Sequence, residues 1–200
     1  MKKNKIITVA IDSPAASGAG TQSKLIAKHY NLAYLDTGKV YRYIGLLRLK
    51  FRNRFDYSLI KKKIKKLKPK SLKNKKLLSD VVATSAAIIA RDKKIRDIVH
   101  KFQQNFAYNP PQKFDGSILD GRDITSVQLK NAMFKFYITA SLKVRALRRY
   151  REYKSYKNRI SLKEVEKSIK KRDKLDRSRK YGPLKKTKDS ILINTTKLSK

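Results

Sequence analysis

A run of apolar and β-branched residues, Ile6 to Ile11, is followed by a stretch with almost no side-chain bulk, Asp12 to Gly20. From Thr21 the apolar positions Leu25, Ile26 and Tyr30 fall on one face of a helix. A short apolar run bounded by turn residues predicts a buried strand, and the change of period after it predicts a helix. The alternation repeats along the chain. Ala33-Tyr34-Leu35 predicts a short strand ending at Asp36-Thr37-Gly38, and Val40 to Phe51 predicts a helix with Ile44, Leu47 and Phe51 inward. Residues 52–76, broken by Pro69, predict an exposed basic arm or insert whose thin apolar stripe is Leu59, Ile60, Ile64 and Leu67. Leu77 to Phe106 predicts a long helical stretch stopped by Asn109-Pro110-Pro111. Ser117–Asp120, Phe134–Ile138 and Ser190–Asn194 predict further strands. Ser141 is placed to cap a helix, and Ser161-Leu162-Lys163-Glu164 has capping-box spacing, with Leu162, Val165 and Ile169 inward. Strands alternating with helices predict an α/β fold: a parallel sheet with helices on both faces.

Composition narrows the function. With 200 residues and 40% hydrophobic positions the chain is sized for one domain with a real core. It has no cysteine, which excludes disulfides, thiol catalysis and Cys-ligated metal sites. No apolar run is long enough to span a bilayer, and the charged start Met1–Lys5 lacks the features of a signal peptide, so a cytoplasmic protein without membrane contact is expected. The net charge of +37 is the unusual quantity. Residues 61–76 hold ten lysines and no acid; residues 143–188 hold twenty basic residues against five acids. Such a surface predicts weak, sequence-blind binding of polyanions, and self-repulsion favours a monomer. Lysine filling ordinary exposed positions accounts for the same counts, and no known nucleic-acid module is present.

Four short segments carry chemistry. Ser13-Pro14-Ala15-Ala16-Ser17-Gly18-Ala19-Gly20-Thr21 joins a strand to a helix with small residues, as a phosphate-binding loop requires: backbone N–H groups and the helix N-terminus face the anion. The pattern is incomplete, because a full loop carries a lysine where Ala19 stands and a glycine where Ser13 stands. Asp36-Thr37-Gly38-Lys39-Val40-Tyr41-Arg42 sets a carboxylate at a strand end and an arginine about one helical turn further on. Asp120-Gly121-Arg122-Asp123 sets acids around an arginine at another strand end. Arg172-Asp173-Lys174-Leu175-Asp176-Arg177-Ser178-Arg179 is dense in guanidinium groups, which suit phosphates and charge spread over a transferring phosphoryl group. Each segment also has a plain structural reading as a capped turn, a local ion pair or a solvated helix end.

Their order is more informative than any one of them. Val9 to Pro14, Leu35 to Arg42, Asp120 to Asp123 and Arg172 to Arg179, followed by Pro183-Leu184, resemble the bacterial cytidylate kinase family from about residue 6 to residue 196. Ile95-Arg96-Asp97, Gln103 to Ala107 and Leu147 to Tyr150 fit it too. The resemblance implies a P-loop nucleoside monophosphate kinase-like sheet flanked by helices. Its core would span 1–51, 107–158 and 184–200, with a short acceptor insert at about 52–106 and a helical lid at about 159–183. It implies transfer of the γ-phosphoryl group of ATP to CMP or dCMP with Mg²⁺, no side chain being assigned as a metal ligand. Ser13, Ala16, Ser17, Gly18, Ala19, Gly20 and Thr21 would form the ATP phosphate site. Asp36, Arg42, Arg96, Asp120, Arg122, Asp123, Asp176 and Arg179 would bind the acceptor. Arg172 and Arg177 would descend over the phosphates.

The chain departs from that family at Ala19, where the family has its phosphate-binding lysine. Lys39, the lid arginines and Lys24 are candidates to supply the charge. Ala87 stands where the family often has a serine near the cytosine, with Thr84 and Ser85 beside it, and the acceptor insert is short. These departures leave two alternatives: a nucleotide- or nucleic-acid-binding protein of the same fold without catalysis, and a kinase for another nucleoside monophosphate.

Overall fold

The computed structural model describes residues 6–155 and 160–198. β1 (Ile7–Asp12) leads through a tight loop into α1 (Ala19–His29), and β2 (Leu32–Asp36) runs directly into α2 (Thr37–Phe51). Then come α3 (Tyr57–Lys65), two short 3₁₀ turns (Pro69–Lys73 and Lys75–Leu78), α4 (Asp80–Ile89) and α5 (Lys93–Tyr108). β3 (Gly116–Gly121) is followed by a π-type turn at Ile124–Gln128 and by β4 (Phe134–Thr139). The chain continues through α6 (Leu142–Ser155), α7 (Leu162–Arg177) and β5 (Ile191–Asn194). The five strands form one sheet in the order β2-β3-β1-β4-β5, every pairing parallel.

The sheet has apolar cover on both faces, as a parallel sheet requires. Side chains alternate along each strand. Val9, Ile11 and Ile118 enter the cluster that includes Ala19, Ala27 and Ile138. Ala10 and Leu119 enter the larger cluster that holds Leu35, Val40, Ile44, Val99 and Ile124. Register brings the strand ends together: Asp36 and Ile11 both pair with Asp120, and Asp12 pairs with Gly121 on one side and Tyr137 on the other.

Capping at Ser161 follows the sequence signal, and four further helix starts are capped in the same way. Asp36, Asp56, Ser79, Asp92 and Ser161 each accept a backbone N–H at the start of a helix, and Ser161 with Glu164 completes the capping box. Ser141 accepts from Val144 N at 3.4 Å.

Four expectations need correction. The inner face of α1 is Ala19, Ser23 and Ala27, with Leu25 and Tyr30 more than half exposed; small residues let the helix sit close to the sheet. The stretch Leu77–Phe106 is not one helix. It breaks at Ala90–Asp92, where Asp92 accepts from Ile95 N and starts α5 afresh. The arm at 52–76 is not an exposed appendage. Ile60, Ile64, Leu67, Leu72 and Leu77 are buried and join the main core, each aliphatic side chain contributing about 1.5–3 kcal/mol of burial free energy, while the lysines between them stay outside. In α7, Val165 and Ile169 face inward, but Leu162 is exposed. The start of the expected lid at 159 lies outside the described residues.

Candidate active site

The loop between β1 and α1 opens at the carboxyl end of the sheet, where ligands bind in open α/β folds. Gly18 precedes α1 with φ of +93°, and no side chain caps that helix. A left-handed residue at that point turns the chain so that the first N–H groups of α1 remain available to an anion. Ala16 also has positive φ, +61°, an unusual conformation for a residue with a Cβ. Ser13, Ala15, Ser17 and Ala19 are buried, and Ser17 Oγ has no hydrogen-bond partner among the described residues. Thr21 N and Gln22 N both donate to Gly18 O, and Ser13 N ties the loop to Gly121 O.

Three strand-end carboxylates surround this loop. Asp12 is fully buried and accepts from Ile124 N, Thr125 N and Thr125 Oγ1 at 2.7, 2.9 and 2.6 Å. Burial outweighs those bonds and pushes its pKa up to about 6. Asp12 therefore clamps the start of the loop to the turn after Arg122. Asp120 accepts from Tyr34 Oη, and Thr37 Oγ1 donates to its backbone carbonyl. Burial, then the charge of Asp36, pushes Asp120 up to about 7, against the pull of Arg122 and Lys24. A Cβ on Gly20 would lie 3.3 Å from Asp120 Oδ2, so this carboxylate sits beside the first turn of α1. Lys39 is turned to the same cluster, its Nζ 4.0 Å from Asp36 Oδ2.

The sign of the Asp120 shift is testable. A carboxyl whose pKa is raised by folding costs stability progressively as the pH climbs from its unfolded to its folded pKa, and the cost is level above that. The Asp120→Asn variant should melt higher than the parent at pH 8, and the gap should shrink steadily as the pH falls below about 7 and close only near about pH 4. A gap that does not change with pH in thermal melts would show that Asp120 is not the titrating group.

The residues expected to bind the acceptor fall in two groups. Arg96 is buried, paired to Asp123, bonded to Ala90 O at 3.3 Å, and stacked 5.8 Å from the Tyr41 ring centroid. Gln128 Nε2 donates to the same carboxylate at 2.9 Å. Gly182 closes over this pair with φ of +60°, and a Cβ there would overlap both Arg96 and Asp123. The second group centres on Asp176 of α7, only 1% exposed. Arg122 Nε donates to it at 2.8 Å, Arg179 pairs with its other oxygen, and Arg172 Nε lies 3.9 Å away. These three cations outweigh burial and hold Asp176 below the ordinary carboxylate range. Arg42 Nη1 reaches Leu77 O at 2.7 Å, and its charge acts on Arg172. Desolvation, then Arg122, Arg42 and Arg149, push Arg172 down to about 10, although 44% of its side chain is open to water. It stays cationic at neutral pH. Arg177 is exposed, and its charge acts on Tyr137 beside those of Asp12 and Asp173.

Sequence reasoning gave no role to Asp12, Tyr34, Arg145, Arg148, Asp173 or Gly182. Arg148 donates to Ser17 O, Thr195 Oγ1 and Thr195 O, bracing the back of the loop. The available signal was residue choice. Of the 52 basic residues only 15 are arginine, and in a chain that fills its surface with lysine an arginine marks a place where a planar fork is used.

The parallel order β2-β3-β1-β4-β5, with a small-residue turn after the central strand and an arginine-rich helix docked on the strand ends, defines a nucleotide phosphotransferase of the nucleoside monophosphate kinase class. The family description "Cytidylate kinase" matches residues 9–200. The chain is 38% identical over 204 residues to the cytidylate kinase of Fusobacterium nucleatum, covering 96% of this chain and 91% of that one. It is 37% identical over 201 residues to that of Clostridium botulinum (95% and 90%), and 33% identical over 192 residues to that of Rhodospirillum rubrum (96% and 90%). The chain belongs to the cytidylate kinase family.

Proposed function

We propose that the protein transfers the γ-phosphoryl group of ATP to CMP or dCMP, giving CDP or dCDP. The observation that carries this reading is the excess of positive charge around Asp176. Arg122, Arg172 and Arg179 share the single carboxylate of Asp176, with Arg42 acting on Arg172 from α2. Such a cluster is incomplete without an anion, and its place beside an uncapped helix N-terminus suits two phosphate chains meeting end to end.

In this reading Gly18, Gly20 and Thr21, with Ser13, Ala16, Ser17 and Ala19 shaping the turn, hold the ATP phosphates. Arg42, Arg122 and Arg179 grip the acceptor, Asp176 sets their geometry, and Asp36 and Asp120 border it. Arg96 and Asp123, buried as a pair, line its far wall. An oxygen of the acceptor phosphate attacks the γ-phosphorus, the bond to the β,γ-bridging oxygen breaks, and that oxygen leaves with its electron pair on ADP. No nucleophilic side chain is needed, because alignment and charge neutralisation by Arg172 and Arg177 supply the catalysis. The carboxylates of Asp120 and Asp36 are hard oxygen donors beside the loop, and they suit a Mg²⁺ ion that keeps phosphate and water ligands. When bound, that ion would neutralise charge on the transferring group. The exposed lysines of 61–76 support weak, salt-sensitive binding of polyanions as a side property.

The test is a coupled assay of ADP production with CMP, dCMP, UMP, AMP and GMP. CMP and dCMP should exceed the others in kcat/KM by roughly tenfold or more. A preference for another monophosphate, or ATP binding without transfer to any, would reject this reading.

A further inference from the structure

A phosphate loop of this kind ordinarily follows its last loop glycine with a lysine that reaches the β- and γ-phosphates. Here that position is Ala19, 4% exposed and without charge. Some other cation must stand over the loop, and something must hold it there. We propose that Arg145 and Asp173 form a positioning pair that fixes the arginine face of α7 over the phosphate loop, so that the docked helix supplies the charge Ala19 lacks. The proposal rests on the kinase reading above.

Arg145 is on α6 and is only 6% exposed. Its Nε donates to Ala140 O at 2.9 Å and its Nη1 to Ala15 O, in the loop itself, at 3.1 Å. The same Nη1 lies 2.7 Å from Asp173 Oδ2 on α7. One guanidinium thus touches the main chain of the loop and the side chain of the lid helix. Its planar fork fixes the direction between them, which a lysine ammonium does not do.

Asp173 is the immediate neighbour of Arg172 and lies one helical turn before Arg177. Where Asp173 is pinned therefore decides where both arginines project. The charge of Arg177 acts on Tyr137, whose strand partner Asp12 is the last residue before the loop. An apolar contact runs parallel to the ion pair: Ala16 of the loop packs into the cluster of Ala146, Val165 and Ile169 that joins α6 to α7. Asp173 is itself poorly satisfied, with Oδ1 buried and lacking a hydrogen-bond partner among the described residues. A charge buried at that cost adds little net stability, which points to a role in orientation.

The experiment is a double-mutant cycle of Asp173→Asn with Ala19→Lys, reading kcat, the acceptor KM and, without acceptor, the affinity for Mg·ATP by calorimetry. Asp173→Asn keeps the volume and removes the charge. In the parent it should lower kcat by roughly ten- to a hundredfold, with acceptor KM within about twofold, and weaken Mg·ATP binding. With lysine at position 19 the same change should cost less than about threefold, because the loop then carries its own cation. A purely structural role would give equal penalties in both backgrounds, and that result, or no kcat loss in the parent, overturns the proposal. Arg145→Lys, checked for folding by its thermal melt, should reproduce the Asp173→Asn pattern; parent-like kinetics in that variant would count against it equally. If the parent shows no transfer, the kinase reading fails, and the Mg·ATP cycle still decides this one.

Discussion

Arg122→Ala lowers kcat/KM for the acceptor by about 10²–10³-fold, the size of loss seen when one preorganised charge-stabilising donor is removed. The expectation follows from how Arg122 is held. It leaves the end of β3 with its Nη1 bonded to Gly121 O at 3.0 Å and its Nε on Asp176, so only the rest of its fork is left for the proposed acceptor. A guanidinium fixed from both sides presents its remaining N–H groups in one orientation, which is what bidentate phosphate contact needs. Asp176 keeps Arg179 and Arg172 after the substitution, so the buried carboxylate is not left unpaired and the fold should survive. Arg122→Lys should recover little, because an ammonium cannot hold Asp176 and a phosphate in the same plane. Lys174, three residues from Arg177 and exposed, should tolerate alanine with kinetics within about twofold of the parent. Steady-state kinetics on the three variants decide the matter: equal effects at Arg122 and Lys174 would remove Arg122 from the acceptor site.

What the sequence made legible was whatever local chemistry decides. The small-residue turn after Ile11, the strand ends at Asp36 and Asp120, and the cap at Ser161 depend on a few neighbouring residues, and each was placed to within a residue or two. What it hid depends on tertiary partners. Leu25 and Tyr30 fit a helical stripe as well as Ser23 and Ala27 do, and only the closeness of α1 to the sheet selects the small residues. The apolar stripe of 52–76 was visible, but its burial against α2 and α5 was not, because the surrounding lysines make any such segment look solvated. The break at Ala90–Asp92 lacks a proline or glycine and depends on one capping aspartate. At the site, the four motifs were legible because each is contiguous in sequence. The ties between them were not: Asp12 to Thr125, Arg145 to Asp173 and Arg122 to Asp176 span 113, 28 and 54 positions of the chain.

Arg172→Ala and Arg177→Ala each lower kcat by about 10²-fold, whereas Lys39→Ala costs less than about tenfold. Four cations were candidates to replace the missing loop charge, Lys24, Lys39, Arg172 and Arg177, and the surroundings of the last three differ. The Lys39 ammonium lies 4.0 Å from Asp36, a carboxylate that already caps α2 through Lys39 N, and Asp36 adds to the charge burden on Asp120. A lysine so placed offsets acidic charge at the end of β2 and has little net charge left for a phosphate. Arg172 is in the opposite situation. Arg122, Arg42 and Arg149 all press on it against the single carboxylate of Asp176, so an incoming phosphoryl group relieves repulsion as well as forming bonds. Arg177 extends from the last turn of α7 into solvent near Tyr137, at the mouth of the loop. Both lid losses should appear in kcat more than in acceptor KM, because charge on the transferring group is greatest in the transition state. Single-turnover measurements with saturating ATP and CMP separate the candidates. Near-complete loss on Lys39→Ala, together with mild effects at Arg172 and Arg177, would transfer the role to Lys39 and leave the lid as an acceptor clamp only.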